Sequence, residues 1–133
     1  MEIKRALLIG LSLIAPFLFL GVRRGVSQSP DDRIVRIAEL EIYPDQVGAY
    51  KAALKEEISA SISKEPGVLT LYAVSLKGHP EQIRLFETYR SLISYQAHLQ
   101  SSHFKSYKEQ TRNMVKSLTL VETDPILLGS KCN

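Results

Sequence analysis

The chain has 133 residues, 44% of them hydrophobic and 23% charged, an ordinary globular balance that excludes a disordered or fibrous protein. Its formal net charge of +3 comes wholly from Lys4, Arg5, Arg23 and Arg24 set against Glu2, so the rest is neutral and gives no reason to expect a nucleic-acid partner. One cysteine, Cys132, excludes an intrachain disulfide, and there is no tryptophan.

The N-terminus pairs Lys4 and Arg5 with an apolar run of 17 residues, Ala6 to Val22, followed by Arg23 and Arg24. Small residues at Gly25 and Ser27 suit a signal peptidase cutting after Ser27. The run is shorter than the roughly 20 residues of a comfortable membrane span, yet the paired arginines behind it suit an uncleaved anchor. Residues 1–27 thus read as a signal peptide or N-terminal anchor, and residues 28–32 as a linker. Residues 33–125 read as one folded domain and residues 126–133 as a C-terminal tail. The expected location is outside the cytoplasm, periplasmic or secreted, or at a membrane held by residues 6–22.

RIVRIAELEIY, Arg33 to Tyr43, alternates like a strand. Ile34, Ala38, Leu40 and Ile42 fall on one face, and Val35 and Ile37 on the other, so both faces should be covered. Pro44 and Asp45 suit the first turn of a helix. Val47, Tyr50, Leu54, Ile58 and Ile62 give it one apolar stripe, and Pro66-Gly67 ends it. Val68 to Leu76 is a second strand, Lys77 to Gln82 a turn, and Ile83 to Tyr89 a third strand, making an antiparallel hairpin. A helical region from Ser91 to about Val115 breaks near Ser101-Ser102, and Ser117 to Thr123 is the last strand. The order βαββαβ is the ferredoxin-like α+β plait, a four-stranded antiparallel sheet with helices on one face. The other face needs cover, which a second copy stacked sheet on sheet would supply.

The residues able to carry chemistry are few. Histidine is the side chain that exchanges protons near neutral pH, and His98 and His103 lie five residues apart. From spacing alone they are as well explained as a helix corner, with Ser101 or Ser102 capping the second helix. Two histidines without a third ligand in register make a poor metal signature, so no metal is expected. His79 belongs to the turn. Glu87 stands inside an apolar strand face with Ile83, Leu85 and Tyr89, where a carboxylate needs a partner such as Arg36, Arg84 or a histidine. Tyr72 and Tyr89 could offer hydroxyls to a pocket or simply pack. No phosphate loop, CxxC, HExxH or GxSxG is present, so no cofactor is expected.

The segment RLFETYRSLISYQAHLQSSHFKSY, together with EPGVLTLYAV, resembles the antibiotic biosynthesis monooxygenase family. The matching features are Glu87 and Tyr89 ending a strand, Ala97-His98 on the next helix, then Ser101 or Ser102 and His103-Phe104. The resemblance implies a dimeric α/β barrel. It also implies a cofactor-independent monooxygenase that oxidises a small quinol or phenol with O2. His98 would be the base, with Glu87 or a tyrosine orienting the substrate. Tyr72, Tyr89, Tyr95, His103 and Phe104 would shape the substrate site. The partners implied are a small aromatic substrate, O2 and a second copy. The haem-degrading members carry an asparagine, a tryptophan and an iron-binding histidine where this chain has Leu40, Tyr89 and Tyr107, which speaks against haem. Two alternatives stay open: a non-catalytic ligand-binding barrel, and a non-oxidative isomerase acting on a small metabolite.

Overall fold

The computed structural model describes residues 32–131. The expected leader, most of the linker and Cys132 lie outside the described residues. No helix among the described residues is long and apolar enough to cross a membrane. The elements run β1 Ile34–Ile42, α1 Val47–Lys64, β2 Val68–Leu76, β3 His79–Tyr89, α2 Leu92–Gln100, α3 Ser102–Thr111 and β4 Val115–Thr123, with a short 3-10 turn at Pro44–Gln46. The strands form one antiparallel sheet in the order β2-β3-β1-β4. This is the expected ferredoxin-like plait.

Register decides which side chains meet. Arg36, Ala38 and Leu40 of β1 lie opposite Glu87, Leu85 and Ile83 of β3, and opposite Glu122, Leu120 and Leu118 of β4. Strand alternation sends all of these to the face that carries the helices. Ala38, Leu40, Ile42, Tyr50, Leu54, Ile83 and Leu85 are buried there as the main core. Val68, Leu71 and Tyr89 form a smaller buried cluster at the end of the sheet nearer α2. Tyr50 and Tyr107 join α1 to α3 through a hydroxyl–hydroxyl hydrogen bond of 2.5 Å.

Two local expectations need correction. The stripe of α1 includes Tyr50, Ala53, Leu54, Glu57 and Ser61 among its buried residues, whereas Ile62 is exposed. The helix turns its Glu57–Ser61 side inward because the groups awaiting it on α2 and α3 are polar. The β2–β3 turn is also shorter than expected, only Lys77 and Gly78, and His79 already belongs to β3. Gly78 supplies the positive φ of 83° that a tight hairpin requires. Pro80 fits because the register shifts there: Ser75 pairs with Ile83 and Leu76 with His79. A proline without an N–H is tolerated at such an irregularity. His79 is exposed and faces Glu81 at 3.5 Å.

Candidate functional site

Three backbone features aim the polar residues at one point. Ser91 caps α2 by accepting the Ser94 N–H, and Ser101 caps α3 by accepting the Phe104 N–H at 3.3 Å. Ser101 also ends α2 in an extended conformation, so α2 and α3 meet at a corner that turns His98 and His103 toward α1. On α1, Glu57 and Ser61 stand one turn apart on the buried face. Glu65 follows at the helix end, where its own N–H is held by the Ser61 carbonyl.

Glu65 ties the two histidines together. Its Oε1 lies 3.0 Å from His98 Nδ1 and 2.6 Å from His103 Nε2. Burial pushes the Glu65 carboxyl up, but the hydrogen bonds from His98 and His103 outweigh it and hold the group below its ordinary value. An ionised carboxylate can only accept, so both rings donate to it. In its neutral form His98 therefore keeps its lone pair on Nε2. That atom lies 3.9 Å from Glu57 Oε1, which in turn accepts the Ser61 hydroxyl at 2.6 Å. His98 is 3% exposed and Glu57 6%, so this contact is buried.

Aromatic groups form the other wall. The Phe104 ring sits 4.5 Å from the His98 ring and the Tyr89 ring 5.3 Å from it. Tyr95 meets Tyr89 edge-on at 5.1 Å. The Arg36 guanidinium lies over the Tyr95 ring at 4.7 Å and donates to its hydroxyl. Tyr89 donates its hydroxyl to Glu87 at 3.2 Å. Burial raises the Glu87 carboxyl, and neither the Tyr89 bond nor the charges of His98 and Arg36 cancel that effect. Burial also pushes the Tyr50 hydroxyl up to about 12. It drives Tyr89 and Tyr107 higher still, helped by Glu87 for Tyr89 and by Tyr50 for Tyr107. These three phenols are neutral donors, which leaves His98 Nε2 and the side chain of Glu57 as the candidate proton acceptors at the cavity.

The cavity itself holds about 90 Å³. His98, Glu57, Glu87, Tyr89, Tyr95 and Phe104 line it, with Tyr107 beside them. Leu118 and Leu120 of β4 form its outer lip, and both are exposed. A larger groove of about 800 Å³ runs between α1 and β2. It offers Lys51 and Lys55 over apolar walls, and no acid–base pair, so the smaller cavity is the better candidate for chemistry.

Of the residues expected from sequence, His98, Glu87, Tyr89, Tyr95 and Phe104 line this cavity. His103 stands behind His98, their ring centroids 6.5 Å apart. Tyr72 does not join them. It is 69% exposed and lines the larger groove instead, because strand alternation points it away from its buried neighbour Leu71. Glu87, for which Arg36, Arg84 or a histidine were the expected partners, accepts from Tyr89, and the carboxylates nearest the histidine rings are Glu65 and Glu57. A signal for them was present: Glu57, Ser61 and Glu65 recur at four-residue steps, on one side of α1. Arg36 faces Glu87 in register, yet its nearest hydrogen-bond partner is Tyr95.

The antibiotic biosynthesis monooxygenase family matches residues 33–110. A candidate antibiotic biosynthesis monooxygenase from Bacteriodes thetaiotaomicron is 40% identical, with a TM-score of 0.73, over 77% of this chain and 97% of that one. A Nitrosomonas europaea structure is 20% identical with a TM-score of 0.68, over 72% of this chain and 92% of that one. The Mycobacterium tuberculosis structure Rv0793 is 24% identical with a TM-score of 0.67, over 74% and 99%. The last two support the fold alone. No curated relative matches. With the family matched over more than half its length, and 40% identity to a solved relative along nearly all of that relative, the chain belongs to the antibiotic biosynthesis monooxygenase family.

Proposed function

We propose that the protein is a monooxygenase that oxidises a small monocyclic quinol or phenol with O2 and needs no bound cofactor. The observation that carries this reading is the His98 ring. Its Nδ1 is held by Glu65, its Nε2 lies at a small cavity, and the walls around it are aromatic and aliphatic.

His98 Nε2 takes the proton of a substrate hydroxyl, and Glu65 steadies the imidazolium that results. The electron-rich phenolate then passes electrons to O2. One oxygen atom joins the ring carbon and the other leaves as water, and the substrate supplies all four electrons. A hydroquinone would thus give a hydroxyquinone. Glu87, whose carboxyl burial raises, and Tyr89 would meet the second oxygen of the ring with hydrogen bonds. A cavity of about 90 Å³ suits one ring, part of which would lie over Leu118 and Leu120, better than a polycycle. His103 and Phe104 support the corner that aims His98.

The reading includes a homodimer. The face of the sheet away from the helices carries Tyr72, Val74, Phe86 and Val121, all exposed. A second copy stacked on it would bury a continuous apolar surface. It also includes export, through the N-terminal leader or anchor expected from sequence.

The reaction is tested by mass spectrometry of the product formed under ¹⁸O2 from a panel of monocyclic hydroquinones. One labelled atom in the product is expected. Ligand that binds and is recovered unchanged would make the protein a binding module instead.

A further inference from the structure

We propose that Glu57, His98 and His103 form a binding site for a divalent transition-metal ion of the Zn²⁺ type, and that the ion switches the proposed base off. The inference concerns regulation of the same site. It rests on the reading above only for its kinetic consequence, since binding can be measured without substrate.

Spacing in the sequence supplies two histidines and no third ligand. The fold supplies the third from another element. One carboxylate oxygen of Glu57 and one ring nitrogen each of His98 and His103 all lie within 4.8 Å of one another. The closest approach involving Glu57 is 3.9 Å, to His98 Nε2. Ligand atoms around a tetrahedral ion at about 2.0–2.1 Å sit about 3.4 Å apart, so the set closes with side-chain movements of about an ångström. Two imidazoles and one carboxylate are a donor set suited to Zn²⁺ and its neighbours, not to Mg²⁺ or Ca²⁺.

The surroundings are a second, independent observation. A metal-binding histidine characteristically gives its other ring N–H to a carboxylate, and a ligating carboxylate is itself hydrogen-bonded. Both conditions are met. His98 gives Nδ1–H to Glu65 at 3.0 Å, and Glu57 Oε1 accepts the Ser61 hydroxyl at 2.6 Å. The Glu65 bond leaves the His98 lone pair on Nε2, 3.9 Å from the buried carboxylate of Glu57. A lone pair facing a carboxylate oxygen is a repulsive contact unless a cation, either a proton or a metal ion, lies between them.

Binding has a stated consequence for each ligand. His103 Nε2 is held by Glu65, so His103 would coordinate through Nδ1, or through Nε2 once its proton has moved to Nδ1. His98 Nε2 gives its lone pair to the ion and can no longer take a proton from substrate. Glu57 and His98 line the cavity and His103 does not, so an ion held by the three would border the cavity.

The test is calorimetric titration of the chelator-treated full chain with Zn²⁺, paired with Co²⁺ absorption, without substrate. Expected are one ion per chain, an intense visible Co²⁺ band typical of a four- or five-coordinate site, and no binding of Mg²⁺. Glu57→Gln, nearly isosteric, is expected to weaken Zn²⁺ at least 10-fold, as is His103→Gln. Circular dichroism of each variant separates loss of a ligand from loss of the fold. No stoichiometric binding, or binding unchanged in the folded Glu57→Gln chain, overturns the proposal. With a quinol present, Zn²⁺ is expected to suppress oxygen uptake in step with its occupancy. Metal binding without any oxygen chemistry would sink the monooxygenase reading and leave the site standing. Oxygen chemistry without metal binding would do the reverse.

Discussion

Glu65 holds two imidazole rings with one oxygen. A glutamine carbonyl oxygen can accept the same two N–H groups, but it brings no negative charge to steady an imidazolium on His98. In Glu65→Gln we expect kcat toward a quinol to fall by about 10²-fold, the size of an acid–base contribution, with KM little changed. A matched rise in KM would mean Glu65 contacts substrate and does not position His98. Glu87 makes a different prediction. Its carboxyl is raised, so the folded state binds the proton more tightly than the unfolded chain does. Stability from this group is fully present below the ordinary carboxylate range and is lost as pH rises through the raised value. Glu87→Gln keeps a neutral group facing Tyr89 and removes that loss. Its melting temperature should match or exceed wild type at neutral pH, and the gain should vanish toward pH 4. A variant that is less stable at neutral pH would show that Glu87 is held ionised by its neighbours.

The corner between α2 and α3 sets where both histidines point. Ser101→Ala removes the Ser101 cap on the Phe104 N–H, and a lost N-cap costs about 0.5–2 kcal/mol, measurable by urea unfolding. Oxygen uptake should fall as well, because His98 and His103 flank the corner. Gly67 makes a second element-level test. A Cβ there would sit 2.5 Å from the Ser94 side chain at its first carbon, so α2 would have to shift. Gly67→Ala should destabilise by about 1–3 kcal/mol, and full stability in urea would mean the close approach is relaxed in solution. Much of this level was legible in the sequence. Pro66-Gly67 and the paired serines mark the helix ends by local chemistry, which needs no knowledge of the fold. The β2–β3 turn was misjudged because Gly78 and Pro80 both signal a turn, and only the register shift shows that Pro80 is already in the strand. The site was half legible. Alternation on β3 put Glu87 and Tyr89 on one face, and the helix period put Tyr95 beside His98. Glu57 and Glu65 showed only as a four-residue spacing, because a carboxylate on a helix stripe gains its meaning from what packs against it. Here that partner comes from residues more than 30 positions away.

At the scale of the whole molecule, the helices cover one face of the sheet and leave Tyr72, Val74, Phe86 and Val121 exposed on the other. The proposed second copy would bury that face. Phe86→Glu places a charge in the middle of it, on central strand β3, without touching the cavity. Sedimentation should then show wild type as a dimer and the variant as a folded monomer; a monomeric wild type would contradict the stacked arrangement. The cavity opens at Leu118 and Leu120 on the edge strand β4, so substrate can reach His98 from the edge of the plait without opening the core. The measurement that bears most directly on the central claim is oxygen uptake by chelator-treated protein with monocyclic hydroquinones, wild type against His98→Ala. Uptake above autoxidation in wild type, falling by about 10²-fold or more in the variant, is the expected result. Equal uptake by both proteins would contradict the assignment of His98 as the base, and no uptake by either would contradict the monooxygenase reading itself.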